Sequence, residues 1–447
     1  MQNVKILTIK TLFFSKKYVY LYDSESMKKI LYIISLSLLA MTLPLLSQGG
    51  SNYSIYGLGD IVYGNTAASQ AMGGTQIGCP STTNISVLNP ALWGKIKTTR
   101  VQTGYRFNQN AIDNSKKTLL QNNGAMNGFY SIFNFDTTRE ISAGLMFQPV
   151  SSVNYYMASK LDPNDTATLD LYGSKLYRGS GGLNNITLGL GTKIIKGVYL
   201  GASVSGAIGK IEHTSITNIT ENYTVNYQIT NTSVISGFSS NIGLYLEPMD
   251  NMGIGFFYNI VPKGNLEDRS EYLHNPVLLD PDDHTRTMDT VIIDEYDIDL
   301  PSFWGVGLSY RFGSKMLLAV DYLQGNFKNV SIHNIAGDGF NNSNRISLGL
   351  VFLGSPNPFS SLLDRTSYKL GAYSEQLYYN VGGKQINEYG LTGGIQLPIS
   401  RTAQVDLSLI LGRRGSLDNG LLQETFGRLI VDVSIGDNWF KPMRRDF

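Results

Sequence analysis

Phe303-Trp304-Gly305-Val306-Gly307-Leu308-Ser309-Tyr310-Arg311-Phe312 alternates along its whole length. Trp304, Val306, Leu308, Tyr310 and Phe312 fall on one face, and Gly305, Gly307, Ser309 and Arg311 on the other. Successive side chains of a strand point to opposite faces, so this stretch reads as a strand with one apolar and one small or polar face. The split recurs at 186–194, where Ile186, Leu188, Leu190 and Ile194 oppose Thr187, Gly189, Gly191 and Lys193. It recurs at 404–412 and at 428–436, with Asp406 and Asp432 on the polar faces.

Outward from these, the pattern predicts strands at 98–107, 128–135, 140–148, 185–193, 198–209, 234–246, 253–260, 303–312, 316–324, 345–352, 367–377, 386–396, 404–412 and 425–436. The connections alternate in length. Those after odd-numbered strands hold 20, 36, 24, 42, 20, 8 and 12 residues; those after even-numbered strands hold 4, 4, 6, 3, 14 and 7. A soluble sandwich has no reason to gather its long loops at one end. An outer-membrane barrel does, with short periplasmic turns, long outside loops and a lipid-facing apolar band. Backbone groups in lipid must pair within the protein, which requires the sheet to close. The fold class is therefore all-β, a 14-stranded antiparallel transmembrane β-barrel over residues 98–440, with a periplasmic tail at 441–447. The competing reading is a soluble secreted β-protein.

Composition agrees with a barrel. Charged residues are 16% of the chain, against about 25% in soluble domains. The 47 Gly fall largely on the polar faces, and the 27 Tyr fit aromatic girdles at the two membrane interfaces. Phe256-Phe257-Tyr258, Tyr378-Tyr379 and Trp439-Phe440 are the expected girdle positions. A net charge of +1 argues against a nucleic-acid partner, and a single Cys, Cys79, excludes a disulfide framework.

Residues 1–47 read as an export signal. Met27-Lys28-Lys29 is a basic start, Ile30–Leu46 an apolar core, and Ser47 a small residue at the cut, with Met27 the expected true start. Residues 48–97 precede the first strand and lack alternation. Ile55, Tyr56, Leu58, Ile61, Met72, Ile77, Leu88, Leu92 and Trp93 are buried-type residues that a free tail would not carry, so the segment is expected to plug the barrel.

The order of Tyr56-Gly57-Leu58-Gly59-Asp60, Met72-Gly73-Gly74-Thr75 and Asn89-Pro90-Ala91 ahead of fourteen strands resembles the FadL family of outer-membrane transporters of hydrophobic compounds, in its Bacteroidetes version. Leu300-Pro301-Ser302-Phe303 and Gly412-Arg413-Arg414-Gly415 add to the likeness. The resemblance implies that hydrophobic ligands enter from outside and leave sideways beside a kinked third strand. Asn89, Pro90 and Ala91 would then face strand 140–148, and Gly144, Phe147 and Pro149 would belong to the lateral gate. Pro149 has no N–H to give a ladder; its plainer reading is the start of the outside loop. One feature departs from the family: loop 261–302 is acidic rather than apolar.

Signs of catalysis are sparse. His213, His274, His284 and His333 all fall in expected outside loops, without a metalloprotease or nucleophile-elbow spacing. No cofactor is expected. Asp280, Asp282 and Asp283 are a weak Ca²⁺ candidate, and a solvated acidic loop is the preferred reading. The chain thus reads as a transporter of a hydrophobic small molecule set in outer-membrane lipid. The rival is an accessory barrel in an envelope secretion or assembly complex, holding protein partners through loops 149–184 and 261–302.

Overall fold

The computed structural model describes residues 49–64, 66–161, 172–220, 224–276, 287–330, 339–400 and 402–437. The export segment, the acidic triplet Asp280, Asp282 and Asp283, His284, His333, Trp439-Phe440 and the 441–447 tail lie outside the described residues.

One antiparallel sheet closes on itself. Its strands are β1 (Thr99–Asp113), β2 (Thr118–Asp136), β3 (Ile141–Pro149 and Ser151–Lys160), β4 (Gly173–Ile195), β5 (Val198–Thr220), β6 (Thr224–Met249) and β7 (Met252–Ile260 and Gly264–Pro276). The second half holds β8 (Thr287–Ile298 and Ser302–Phe312), β9 (Met316–Asn326), β10 (Ser343–Phe352), β11 (Ser367–Val381), β12 (Lys384–Pro398), β13 (Ala403–Gly415) and β14 (Gln423–Asp437). Three strands come in two pieces, and both pieces of each follow the same neighbour: the two parts of β7 pair with β6, and the two parts of β3 with β4. The ladder from Gln423↔Asp113 to Asp437↔Thr99 joins β14 to β1. Every expected strand is present, and the even count brings both ends of the barrel chain to one rim.

The alternation sets which side faces what. Leu188, Leu190, Leu391 and Leu411 point outward and are more than half exposed. Asp321, Asp406 and Asp432 point inward and are buried. The exposed apolar residues form the band that lipid covers, which places the protein in the Gram-negative outer membrane. Arginine at Leu190, which sits within that band, is expected to cost about 2–4 kcal/mol, a penalty that a water-facing site would not impose. Urea unfolding of Leu190→Arg in phospholipid vesicles measures it.

Three expectations are corrected. The connections 149–184, 210–233 and 261–302 are largely strand rather than loop, because β3 to β8 run well past their expected outer ends. His213 and His274 consequently lie in strands; the His213 Nδ1 meets the Tyr155 hydroxyl at 2.8 Å. Tyr378 and Tyr379 are not a girdle. Both are buried inside, where Tyr378 stacks on Phe327 at 4.2 Å and Tyr379 on Tyr53 at 5.9 Å. Two aromatics in succession on one strand look like an interface belt in sequence; here a register irregularity between Gln376 and Asn380 interrupts the strand's regular alternation.

Candidate functional site: a break in the third strand beside a filled lumen

The ladder between β2 and β3 runs from Asp136↔Ile141 up to Phe129↔Phe147 and stops. Above it, Thr118–Gly128 stays paired to β1, and Ser151–Lys160 stays paired to β4. Among the described residues no ladder joins these two stretches. The chain makes the break with three local choices. Pro149 pairs with Asn184 of β4 but has no N–H to offer a neighbour. Opposite it, Gly181 and Gly182 have φ of +112° and +140°, a backbone conformation that only glycine adopts cheaply. Val150 then donates to the Leu183 carbonyl at 2.8 Å, and the ladder resumes at Val153↔Gly181, one residue out of step.

An open edge cannot face lipid with its backbone groups unpaired. The N-terminal segment supplies the partners. The Gly50 N–H donates to the Asn154 carbonyl at 2.9 Å, and the Asn154 N–H to the Ser54 hydroxyl at 3.0 Å. Asp60–Ile61 forms a two-residue strand against Ser152 and Ser151, and the Val62 N–H reaches the Val150 carbonyl at 2.8 Å. Across the gap, the Gln121 side-chain amide donates to the Tyr156 carbonyl at 2.5 Å.

Behind this seal lies a cluster of buried charge. The Arg414 guanidinium sits between Glu388 at 2.5 Å and Asp60 at 2.7 Å, and donates to the Ser51 hydroxyl at 2.6 Å. Glu424 accepts from the Asn52 N–H and from the Ser51 hydroxyl, both at 2.7 Å. Arg428 adds a second cation to Glu388 at 3.4 Å. Arg345 pairs with Glu375 at 2.8 Å, lies over the Tyr373 ring at 3.8 Å, and donates to the Gly73 carbonyl at 2.9 Å. Arg414 and Arg345 therefore tie the wall to the N-terminal segment, while a wall carboxylate balances the charge of each. A polar cavity opens among Arg106, Asn123, Asn154, Arg345 and Arg414, with room for only a few water-sized molecules.

Deeper in, residues 66–96 meet inward-facing residues of the wall. Asp432 accepts from the Ala67 N–H at 2.7 Å, and Asp321 from the Gln76 and Ile77 N–H groups at 2.6 and 2.8 Å. Asp432, noted in sequence only as polar lining, and Asp321 of β9 thus bind backbone. Within Met72-Gly73-Gly74-Thr75, the Gly73 N–H donates to the Thr392 hydroxyl at 2.9 Å and the Thr75 hydroxyl to the Met72 carbonyl at 3.1 Å. Asn89 caps the short helix Pro90–Lys95, accepting from the Ala91 N–H at 3.1 Å and donating to the Ile77 carbonyl at 2.9 Å. Pro90 and Ala91 lie on Gly191, Gly201 and Gly243 of β4, β5 and β6; a side chain on Gly201 would stand 2.3 Å from the Pro90 carbonyl carbon. Trp93, rather than Asn89–Ala91, covers the inner half of β3, its ring pressed on Gly144. Phe147 faces outward as part of the last β2–β3 rung, and Pro149 follows at the break. Cys79 packs beside Met72, Leu317 and Val351.

The sequence reading missed the charge cluster. Its available signal was Arg428 on the polar face of the expected 425–436 strand, where an isolated charge is costly; Arg414 and Glu424 fell in the expected 413–424 connection. The carboxylate that Arg414 reaches in the N-terminal segment, Asp60, lies more than three hundred residues away.

A closed fourteen-stranded barrel with an apolar outer band, an N-terminal segment bonded to inward-facing wall residues and a third strand broken above Pro149 has the fold of FadL-type outer-membrane channels. The chain belongs to the BamG family, which it matches over residues 27–446. Among solved structures it resembles a Pseudomonas aeruginosa FadL homologue at 12% identity, covering 85% of this chain and 100% of that one with a TM-score of 0.56. The Ralstonia pickettii toluene transporter TbuX is similar at 13% identity, 84% and 99% coverage and a TM-score of 0.55. The CymD monoaromatic hydrocarbon channel follows at 12% identity, 86% and 99% coverage and a TM-score of 0.53. At these identities the likeness is one of fold. No curated protein matches the chain.

Proposed function

We propose that the protein takes up small hydrophobic molecules across the outer membrane, and that they leave the lumen sideways between β2 and β3. The observation that carries this reading is the wall itself. The β2–β3 ladder stops above Phe129↔Phe147, and the stretch beyond it is sealed by the protein's own N-terminal segment, with two residues of ladder at Asp60–Ile61 and a few single hydrogen bonds. A seal made of a few hydrogen bonds opens at far lower cost than a ladder. Proteins of the same fold include a toluene transporter and a monoaromatic hydrocarbon channel.

In this reading residues 48–97 are a plug that must shift, since the cavity beside the seal is too small for a solute. Met72–Thr75 and Asn89–Ala91 anchor the plug to the wall. Gly144, Phe147 and Pro149 define the inner margin of the gate: Gly144 gives Trp93 its seat, Phe147 holds the last rung, and Pro149 ends the pairing. Residues 1–47 serve as the export signal. No bond is made or broken in the passage, so no cofactor or catalytic residue is required.

Uptake by intact Gram-negative host cells tests the proposal, because lipopolysaccharide rather than phospholipid is the barrier to hydrocarbons. Expression is expected to raise entry of radiolabelled toluene above that of host cells without the protein, and to leave entry of arabinose unchanged. Entry of arabinose, or no gain for toluene, would overturn it. A second reading is favoured by the charge-sealed lumen: an accessory barrel whose partners bind its tall outer strands. That reading expects no gain in uptake and a stoichiometric partner on purification.

A further inference from the structure

The connection from β10 to β11, residues 353–366, is the longest on the rim that carries the short turns, and it does not hang free. It folds back on itself: the Ser355 N–H donates to the Asp364 carbonyl at 2.7 Å, and the Leu353 N–H is fixed to the Lys315 carbonyl at 2.7 Å. Its helix, Leu362–Arg365, is capped by Ser361, whose hydroxyl accepts from the Asp364 N–H at 3.2 Å. That helix packs against β12.

The side of β12 it covers is the outer one. Gln396 points inward, donating to Thr83 and Asn84 of the N-terminal segment, so its neighbour Leu397 points outward. Leu391, three turns of the pleat away on the same face, is 70% exposed, whereas Leu397 is only 8% exposed. The loop therefore lies on the outside of the barrel wall. On it Phe359 is 86% and Leu363 70% exposed. These two side chains continue the lipid-facing band, since Phe352 and Tyr368, paired across β10 and β11 at this rim, are also outward and exposed. The loop's polar groups are turned on one another: Ser361 donates to the Asp364 carboxylate at 2.7 Å, the Thr366 hydroxyl to the Leu362 carbonyl at 2.8 Å, and the Phe359 N–H to the Asn357 side chain at 3.1 Å.

From this we infer that the 353–366 loop is an interfacial anchor, lying flat on the wall with Phe359 and Leu363 inserted among the phospholipid acyl chains of the inner leaflet. Two large apolar side chains would otherwise stand in water at the one place where the lipid surface is continuous with them. Internal pairing of the loop's polar groups is what entry into that layer demands. The anchor fixes the height of the barrel in the membrane, and with it the depth at which the β2–β3 break meets lipid.

The test uses the full barrel with Cys79→Ser, carrying Phe359→Cys, Leu363→Cys or, as an aqueous reference, Lys116→Cys in the β1–β2 turn. Each is labelled with the polarity-sensitive fluorophore nitrobenzoxadiazole and reconstituted in phosphatidylethanolamine–phosphatidylglycerol vesicles. Labels at 359 and 363 are expected to emit in the apolar range. They should be quenched several-fold more by doxyl-labelled phospholipid than by aqueous iodide, with the reverse order at 116. Iodide quenching at 359 and 363 equal to that at 116, with no effect of doxyl lipid, would overturn the anchor and leave the loop facing the periplasm.

Discussion

Arg414→Met is expected to destabilise the barrel by about 3–5 kcal/mol, because it leaves buried carboxylates without their cation. Arg414 touches Glu388, Asp60 and the Ser51 hydroxyl directly, and Glu424 stands 3.9 Å away. Glu388 keeps Arg428 at 3.4 Å, so it is partly compensated after the change; Asp60 and Glu424 lose the cation nearest to them. The loss should therefore fall on the N-terminal segment more than on the wall ladders. Two measurements separate these contributions. Urea unfolding, followed by the mobility shift between folded and heated barrel, gives the total. Limited trypsin digestion at Lys95, held in the native protein by Glu247 at 2.6 Å, reports release of the segment. The variant is expected to be cut while its barrel is still folded. Adding Glu424→Gln should recover part of the stability, since it removes one of the uncompensated charges, and such coupled groups do not add. Equal stability of Arg414→Met and the native protein would show that the cluster does not hold the segment.

How far the sequence foretold this arrangement depends on the range over which each feature is encoded. The strands are encoded locally, by the two-residue period of Trp304 to Phe312 and its repeats, and all fourteen appear where that period is found. The outer extensions were not legible. Thr224–Ser233 of β6, for example, carries its apolar residues Val225, Tyr227 and Ile229 on the opposite parity to Val234, Phe238 and Ile242 of the lipid-facing stretch, so no single period runs through both. Pro149 was legible as an oddity, but not as a break within a strand. That outcome depends on Gly181 and Gly182 of the facing strand and on the resumption of pairing at Val153. The inward position of Asp321 and Asp432 followed from the pattern. Their role did not, because their partners are backbone N–H groups of Ala67, Gln76 and Ile77, which carry no side-chain signature.

The central claim is that solutes leave through the β2–β3 opening once residues 48–97 move, and a disulfide across the seal addresses it most directly. A Cβ at Gly50 would stand 3.4 Å from the Asn154 Cβ, near the mean of about 3.8 Å for a disulfide. Gly50→Cys with Asn154→Cys, in a Cys79→Ser background, would tie the N-terminal segment to the free edge of β3. Bond formation is read by thiol titration and non-reducing electrophoresis, and toluene entry is measured in the same cells before and after reduction. The expected result is loss of the gain in entry when the bond is formed and its return on reduction. Fully cross-linked protein that admits toluene as fast as the reduced form would contradict the account.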